Sequence, residues 1–400
     1  MSMRLMILVA VLVWALPVSA QTALTLEDAL ALARANRPEL TAADARVDAA
    51  RAAGEQAGAW LNPTGFLRLE AAPRDGDAWD GSERIVGLSQ VLPLGGRVGA
   101  ARRAAEAVTV RRGFERDALR KTVEASVLVA FAEAVHARDE LALRRTGVEI
   151  ATRLLGGVAV RVEHGDAPAS DRRRANMEAG VAEAELAAAV AGDEAARVSL
   201  AAAIGDVATP VTAVSDDRTS GDPPDLALLL ADLDTMPLVR AAASRVEESE
   251  ALASGAARTR IPDLELEAGL RTSPAGDSFD MGFRVNLPLF DRGGARLSSA
   301  QAGARAEAAL ARMARRDLEA GLRRAHAKLV AAELGAEIYG ETVVPEAGAA
   351  LRSAEAAYTA GDTALTEVLL VRRDWIDASL AHIALRRDSA LARAELHALR

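Results

Sequence analysis

The chain has 400 residues, 50% hydrophobic but only 3% aromatic, with 92 Ala, 46 Arg and two Lys. That composition suits long, closely packed helices and suits a thick core poorly, because Ala buries little area. A formal charge of −9 argues against a general nucleic-acid binder, and the absence of Cys excludes disulfides, thiolate metal sites, Cys nucleophiles and lipidated cysteines.

Residues 1–20 read as a secretory signal peptide: Arg4, an apolar run from Leu5 to Leu16, and a small-residue cleavage site Val18-Ser19-Ala20 before Gln21. The run is too short for an anchor, and no later run reaches about 18 apolar residues, which excludes an α-helical transporter. After it the chain reads as two copies of one unit. Leu92-Pro93-Leu94 with Gly95-Gly96-Arg97 is answered by Leu287-Pro288-Leu289 with Arg292-Gly293-Gly294, at an offset of 195. His164-Gly165-Asp166 is answered by Ala360-Gly361-Asp362 at 196, and Arg37-Pro38-Glu39-Leu40 by Met236-Pro237-Leu238 at 199. The first repeat is set at 21–205, with a β-hairpin at 64–92 and long helices over 95–205. A Pro- and Asp-rich linker spans 206–225, and the second repeat fills 226–400, with a hairpin at 261–288 and long helices over 290–400.

Each repeat opens with a helix, expected over 25–60 and 225–259, with Thr25 as N-cap. Two short strands follow around a polar turn. In the first repeat they are 64–72 and 83–92, around Pro73-Arg74-Asp75-Gly76. In the second they are 261–270 and 279–288, around Ser273-Pro274-Ala275-Gly276. The second pair alternates cleanly: Leu264, Leu266, Ala268 and Leu270 oppose Glu265, Glu267, Gly269 and Arg271, and Phe279, Met281, Phe283, Val285 and Leu287 oppose Asp280, Gly282, Arg284 and Asn286. In the first, Leu67, Leu69 and Ala71 oppose Phe66, Arg68 and Glu70. Pro93 and Pro288 end the ladders, and Gly95, Gly96, Gly293 and Gly294 let strand turn into helix. From Gly95 to Gly156 no Pro occurs, so the partners of this rod must be other long helices. In the last helix Leu369, Ile376, Leu380 and Ile383 keep a coiled-coil spacing. Gly165-Asp166 and Gly361-Asp362 mark the helix-to-helix turns.

Strands of about ten residues, apolar on one face and charged on the other, carry the signature of an outer-membrane barrel with a wet lumen. Four strands cannot enclose water, so several chains must contribute. Trp60, Phe66, Trp79, Phe279, Phe283 and Phe290 lie in or beside the hairpins, as an aromatic girdle at the lipid interface requires.

The order of signal peptide, helix, hairpin, very long helix, Gly-turn and helix, then the same again, resembles the outer-membrane efflux protein (TolC) family. The Leu-Pro-Leu-Gly-Gly-Arg and Leu-Pro-Leu-Phe-Asp-Arg-Gly-Gly junctions are most similar to its CzcC-like heavy-metal efflux branch. The resemblance implies a mainly α protein with a β-barrel part. Its two-repeat protomer would give a coiled-coil barrel plus four transmembrane strands per chain, as a homotrimer in outer-membrane lipid with the helices in the periplasm. It further implies a passive conduit, paired with a periplasmic adaptor (membrane fusion) protein and an inner-membrane pump of the resistance-nodulation-division type, exporting heavy-metal cations. It implies no cofactor and no bound metal. In the family a Tyr-x-x-Gly segment near the closed tip is followed by an acid six positions after the Gly. Here Tyr358 and Gly361 are followed by Glu367, and Gly165 by Asp171, which makes Glu367 and Asp171 the gate acids and Gly165, Tyr358 and Gly361 the adaptor-contact turns. A second acid and a basic lock seen in some members are Leu370 and Thr363 here. Glu367 also suits the first turn of its helix through the dipole alone. The resemblance places the Gly-turns deep in the periplasm, Asp171 in the outer wall of the tip, loops 73–82 and 271–278 outside the cell, and an equatorial belt made mainly from 206–235.

Two other readings fit the same features: the duct of a type I protein-secretion system, and a soluble periplasmic coiled-coil scaffold whose aromatics cap the bundle. An enzyme is not expected. No phosphate loop, H-E-x-x-H or G-x-S-x-G motif occurs, and His136, His164, His326, His382 and His397 are scattered. Asp75, Asp77 and Asp80 lack a full calcium-loop pattern. Arg172-Arg173-Arg174 lies beside the expected tip as a solvated or adaptor-facing run.

Overall fold

A computed structural model describes residues 23–70, 82–215, 222–273 and 275–400. The expected signal peptide, the turn Pro73–Gly76, Trp79 and Pro274 lie outside the described residues. Thr25 caps α1 (Leu26–Asn36), accepting from the Asp28 amide at 3.1 Å. The single helix expected over 25–60 is two, because α2 (Pro38–Ala57) starts afresh on Pro38. A residue before proline avoids the helical region, and Arg37 sits at φ −78°, ψ 112°. Pro237 does the same in the second repeat: α5 (Leu226–Ala231) and a 3₁₀ turn (Leu233–Thr235) precede α6 (Pro237–Arg258).

Four strands make one antiparallel sheet in the order β1 (Thr64–Glu70), β2 (Glu83–Leu92), β3 (Leu264–Ser273), β4 (Gly276–Val285). The two hairpins therefore join across the repeats, with Gly87 opposite Gly269. The second hairpin is tighter than expected. Ser273 pairs directly with Gly276, so β3 runs later and β4 starts earlier than the alternation alone suggests.

Below the sheet run the rods. The helix α3 (Arg97–His164) holds 68 residues, about 100 Å at ~1.5 Å per residue. It turns into α4 (Ala169–Ile204). In the second repeat α7 (Gly294–Ile338) passes through a π-helical turn (Tyr339–Val343) into α8 (Val344–Ala360), then turns into α9 (Leu365–Leu399). The α3 rod packs on α4, α6 and α9, and α7 packs on α6 and α9. The buried seam of α9 is Leu365, Val368, Arg372, Ile376 and Ser379, which shares only Ile376 with the expected coiled-coil set. Arg372 can occupy a seam position because its guanidinium donates to the Gly147 carbonyl at 3.2 Å and to Glu178 at 3.4 Å. Burial holds this guanidinium below its ordinary pKa, against the pull of Glu178 and Glu185.

Two apolar clusters sit at mid-rod. One joins Ala29 and Ala33 of α1 to Val127, Phe131, Val135, Leu200, Ile204 and Val214. The other joins Leu229, Leu233 and Met236 to Leu318, Leu322, Leu329 and Leu396. The belt expected mainly from 206–235 thus also recruits α1, fixed by a parallel bridge from Leu24 to Val214. Buried Glu124 of α3 ties this level together, accepting from Arg34 of α1 at 2.8 Å and lying 2.7 Å from His397 of α9. Burial pushes its carboxyl up, but His397 and Arg34 outweigh that and leave it lowered.

Candidate functional site

Two places gather unusual chemistry, at opposite ends of the rods. The first is the sheet. One face presents Leu67, Leu69, Val86, Leu88, Leu266, Leu270, Phe279, Met281 and Phe283, all exposed; Met281 and Phe283 are 79% and 78% accessible. The other face carries a closed set of ion pairs. Arg271 of β3 binds Glu70 of β1 (3.2 Å), Glu83 of β2 and Asp280 of β4 (2.7 Å). Arg284 binds Glu265 (2.8 Å) and Glu267 (2.6 Å), and Arg68 reaches Glu267 at 3.5 Å. A sheet that pairs most of its charges with one another on one side and bares its large apolar groups on the other, with Arg84 and Asp277 in register with the apolar face only at its loop end, is inside out for water. Of the expected girdle, Trp60, Phe279, Phe283 and Phe290 are exposed. Phe66 is not part of it: it turns to the charged face, over Gly87 and under the Arg68 guanidinium at 5.2 Å.

Strand gives way to helix differently in the two repeats. Pro93 directly follows β2, and Gly95 and Gly96 take φ of 75° and 71°. A Cβ on Gly95 would stand 2.8 Å from Ile261, and one on Gly96 2.6 Å from Arg258 Nη1. Arg258 donates to the Gly95 carbonyl at 2.8 Å and Arg97 pairs with Asp263, so the second repeat stitches the first one's junction. Pro288 lies three residues past β4, and Gly293 takes φ 68°. Gly294 does not need to be glycine: it is the first residue of α7 and a Cβ there meets open space.

The second place is the pair of turns at the far end. Gly165 and Gly361 hold φ of 81° and 88°, a left-handed geometry that costs glycine nothing. In each turn the amide of the following Asp reaches back to close it: Asp166 to the Arg161 carbonyl at 2.8 Å, Asp362 to the Ala357 carbonyl at 2.9 Å. Asp171 and Glu367 fall at matching places in the first turns of α4 and α9, where the helix dipole favours an acid. Their surroundings differ. Glu367 is exposed, as is Leu370, while Asp171 is half-buried. Tyr358 is buried with Val158, Ala175, Leu365 and Val368, and no hydrogen bond reaches its hydroxyl among the described residues. Burial pushes its phenol up; Arg161 works against this and the Asp171 carboxylate works with it. Sequence reading missed Arg161, which sits over the Tyr358 ring at 4.6 Å and donates to its carbonyl. A basic residue in a last helical turn is ordinary, and nothing local shows that its partner lies 197 residues away.

Among the described residues no cluster of His, Asp and Glu could hold a metal ion, and no helix is long and apolar enough to cross a membrane.

A family model described as outer membrane efflux protein matches residues 29–206 and 231–400. The chain is 28% identical over 375 residues to the cobalt-zinc-cadmium resistance protein CzcC of Cupriavidus metallidurans, covering 92% of this chain and 87% of that protein. Among solved structures it is similar to the outer membrane protein VceC of Vibrio cholerae, with a TM-score of 0.80 at 20% identity over 94% of this chain and 95% of that one. It is also similar to CusC, described for its transmembrane channel formation, with a TM-score of 0.73 at 17% identity over 94% and 91% of the two chains.

Proposed function

The chain belongs to the outer membrane efflux protein family, and from that premise we propose that three copies close into one export duct that carries heavy-metal cations out of the cell. The protein is an outer-membrane efflux channel with its helices in the periplasm. What the reading adds is the trimer, the cargo and the partners. One observation carries the trimer: a four-stranded sheet with an exposed apolar face, a charged face satisfied within itself, and outer strands β1 and β4 each paired on one side only. Three such sheets joined edge to edge give a twelve-stranded barrel, lipid outside and Arg271, Arg284 and their acids inside. The same exposed face speaks against the soluble scaffold, which would leave it in water.

The cargo follows the resemblance to a cobalt-zinc-cadmium resistance protein. The exposed Glu367 supports it, since three carboxylates around one axis attract cations at the mouth. Asp171 then lines the outer wall of the tip, and the turns at Gly165, Tyr358 and Gly361 receive a periplasmic adaptor that links the duct to an inner-membrane pump. The duct itself binds and releases without chemistry. Cells lacking the chain should become more sensitive to cobalt, zinc and cadmium, and a plasmid copy should restore them. Unchanged sensitivity to all three ions would overturn the metal cargo. Native mass spectrometry of detergent-extracted protein should give a trimer, and a monomer would overturn the closed duct.

A further inference from the structure

The charge of the chain is unevenly placed. Its formal value is −9, yet the two helical turns nearest the sheet in α2, α3, α6 and α7, with their connections to the strands, hold eight Arg against three acids (51–63, 93–103, 252–263 and 286–300). At the other end of the strands, 70–84 and 271–280 hold three Arg against seven acids. The basic end is the periplasmic one, because the rods begin there.

Three of these arginines are engaged within the fold. Arg97 pairs with Asp263, Arg296 pairs with Asp291, and Arg258 donates to the Gly95 carbonyl at 2.8 Å. Arg260 and Arg292 are exposed and meet no carboxylate among the described residues. The fold brings these two side by side. Between Arg292 and α7 the chain turns at Gly293, where a Cβ would stand 3.0 Å from Thr259 Oγ1 and 3.8 Å from Arg260 Cγ. The stem of Arg260 therefore lies against the residue that follows Arg292. Asp291 is turned away to the Gly293 amide, at 2.9 Å, and to Arg296.

Beside this pair the apolar face runs on past the strands. Val285 ends β4, but Leu287, Leu289 and Phe290 beyond it are all exposed, Phe290 completely. Trp60 and Leu61 are exposed in the same way ahead of β1. In an outer-membrane protein the space against the apolar sheet face is hydrocarbon, and the layer below it is headgroups. Guanidiniums without carboxylates, set next to bare apolar side chains at that level, match a phosphate with its acyl chains.

We propose that this collar binds an anionic phospholipid of the periplasmic leaflet, with Arg260 and Arg292 on the phosphate and Leu289 and Phe290 along the acyl chains. A net negative headgroup is preferred because a zwitterionic one carries its own ammonium, which offsets the phosphate. Each basic side chain at a membrane surface favours anionic lipid by about fivefold. The bound lipid fixes the depth of the second repeat's junction and stabilises the folded chain by mass action. The site stands on the outer-membrane placement alone and needs neither the trimer nor the metal cargo.

Native mass spectrometry of the purified full chain, extracted in detergent with equimolar phosphatidylglycerol and phosphatidylethanolamine, counts what stays bound. The wild type should retain phosphatidylglycerol over phosphatidylethanolamine by at least about fivefold. Arg260→Gln/Arg292→Gln should lower the retained phosphatidylglycerol at least about tenfold, with oligomer yield as in the wild type. Arg316→Gln/Arg373→Gln removes the same charge from exposed places on the rods and should retain the lipid as the wild type does. Equal retention of the two lipids by the wild type overturns the site, as does a collar variant that keeps its phosphatidylglycerol or a rod variant that loses as much. Should the collar variant fail to assemble, a phosphatidylglycerol with a photoreactive headgroup decides on the wild type. Label within 252–263 and 286–300 supports the site, and label spread evenly along the lipid-facing strands overturns it.

Discussion

From Arg97 to His164 the first repeat descends in one helix; the second covers the same course, from Gly294 to Ala360, as two helices with a π-helical turn between them. The cause is local. Pro345 has no amide to offer the Glu341 carbonyl and its ring crowds that group, so the helix widens just ahead of it. The first repeat has Glu149 at the place 196 residues earlier, and its helix runs on. Opposite the widened turn His382 presses on Gly340, where a Cβ would stand 2.8 Å from the ring. Two limbs of one design have thus come to differ in regularity, and the unbroken one carries more of the contacts: α3 touches α2, α4, α6 and α9. Duplication supplied a frame, and a single proline gave one half a widened turn.

The comparison breaks hardest at the junctions. Gly96→Val must adopt a left-handed backbone and displace Arg258, and should cost at least about 3 kcal/mol. Gly294→Val meets open space and should assemble near wild-type levels. Gels of detergent-stable oligomer measure both, and equal yields would mean that the left-handed backbone and close packing at Gly96 are not what the junction requires.

A middle-sized effect should separate the limbs themselves. Gly340→Ala forces the His382 ring aside and should destabilise by about 1–3 kcal/mol. In the first limb, a Cβ on Gly157 meets nothing within 4 Å; Gly157→Ala should therefore stabilise by about 0.5–1 kcal/mol. Thermal melts in detergent read both, and a shared sign would deny the difference in packing.

The smallest effect on stability lies at the tips. Glu367→Gln and Asp171→Asn should each change stability by only about 0.3–1 kcal/mol, the worth of an acid in a first helical turn. Reversal potentials in a salt gradient should nevertheless differ. Glu367→Gln should lose cation selectivity, and Asp171→Asn, half-buried beside Tyr358, should lose less. The opposite order would move the proposed ring of acids to Asp171 in the first repeat.

Much of this was readable from the amino acids. Period-two alternation in 264–287 needs no tertiary information, and the sheet keeps those faces. The Gly-turns were legible because left-handed caps select glycine. What escaped were features set by distant partners. Pro38 and Pro237 were seen as repeat markers, yet the helices were drawn through them, because a proline at a first helical position looks much like one inside a helix. Arg372 was left out of the seam because its charge is satisfied by Gly147, which is 225 residues away. Phe66 was assigned to the girdle by its type, although the alternation itself put it on the charged face.

The outermost edges of β1 and β4 make assembly a matter of supply. In hydrocarbon each bare amide or carbonyl costs several kcal/mol, so a lone chain has no resting point inside the membrane. If the ring takes the three chains proposed above, completion depends steeply on how many arrive together. A subunit with a sound β1 and a spoiled β4 edge would still recruit a neighbour and then stall the circle. Such a variant should act dominantly, poisoning healthy copies made beside it, which a defect confined to the periplasmic tip would not do.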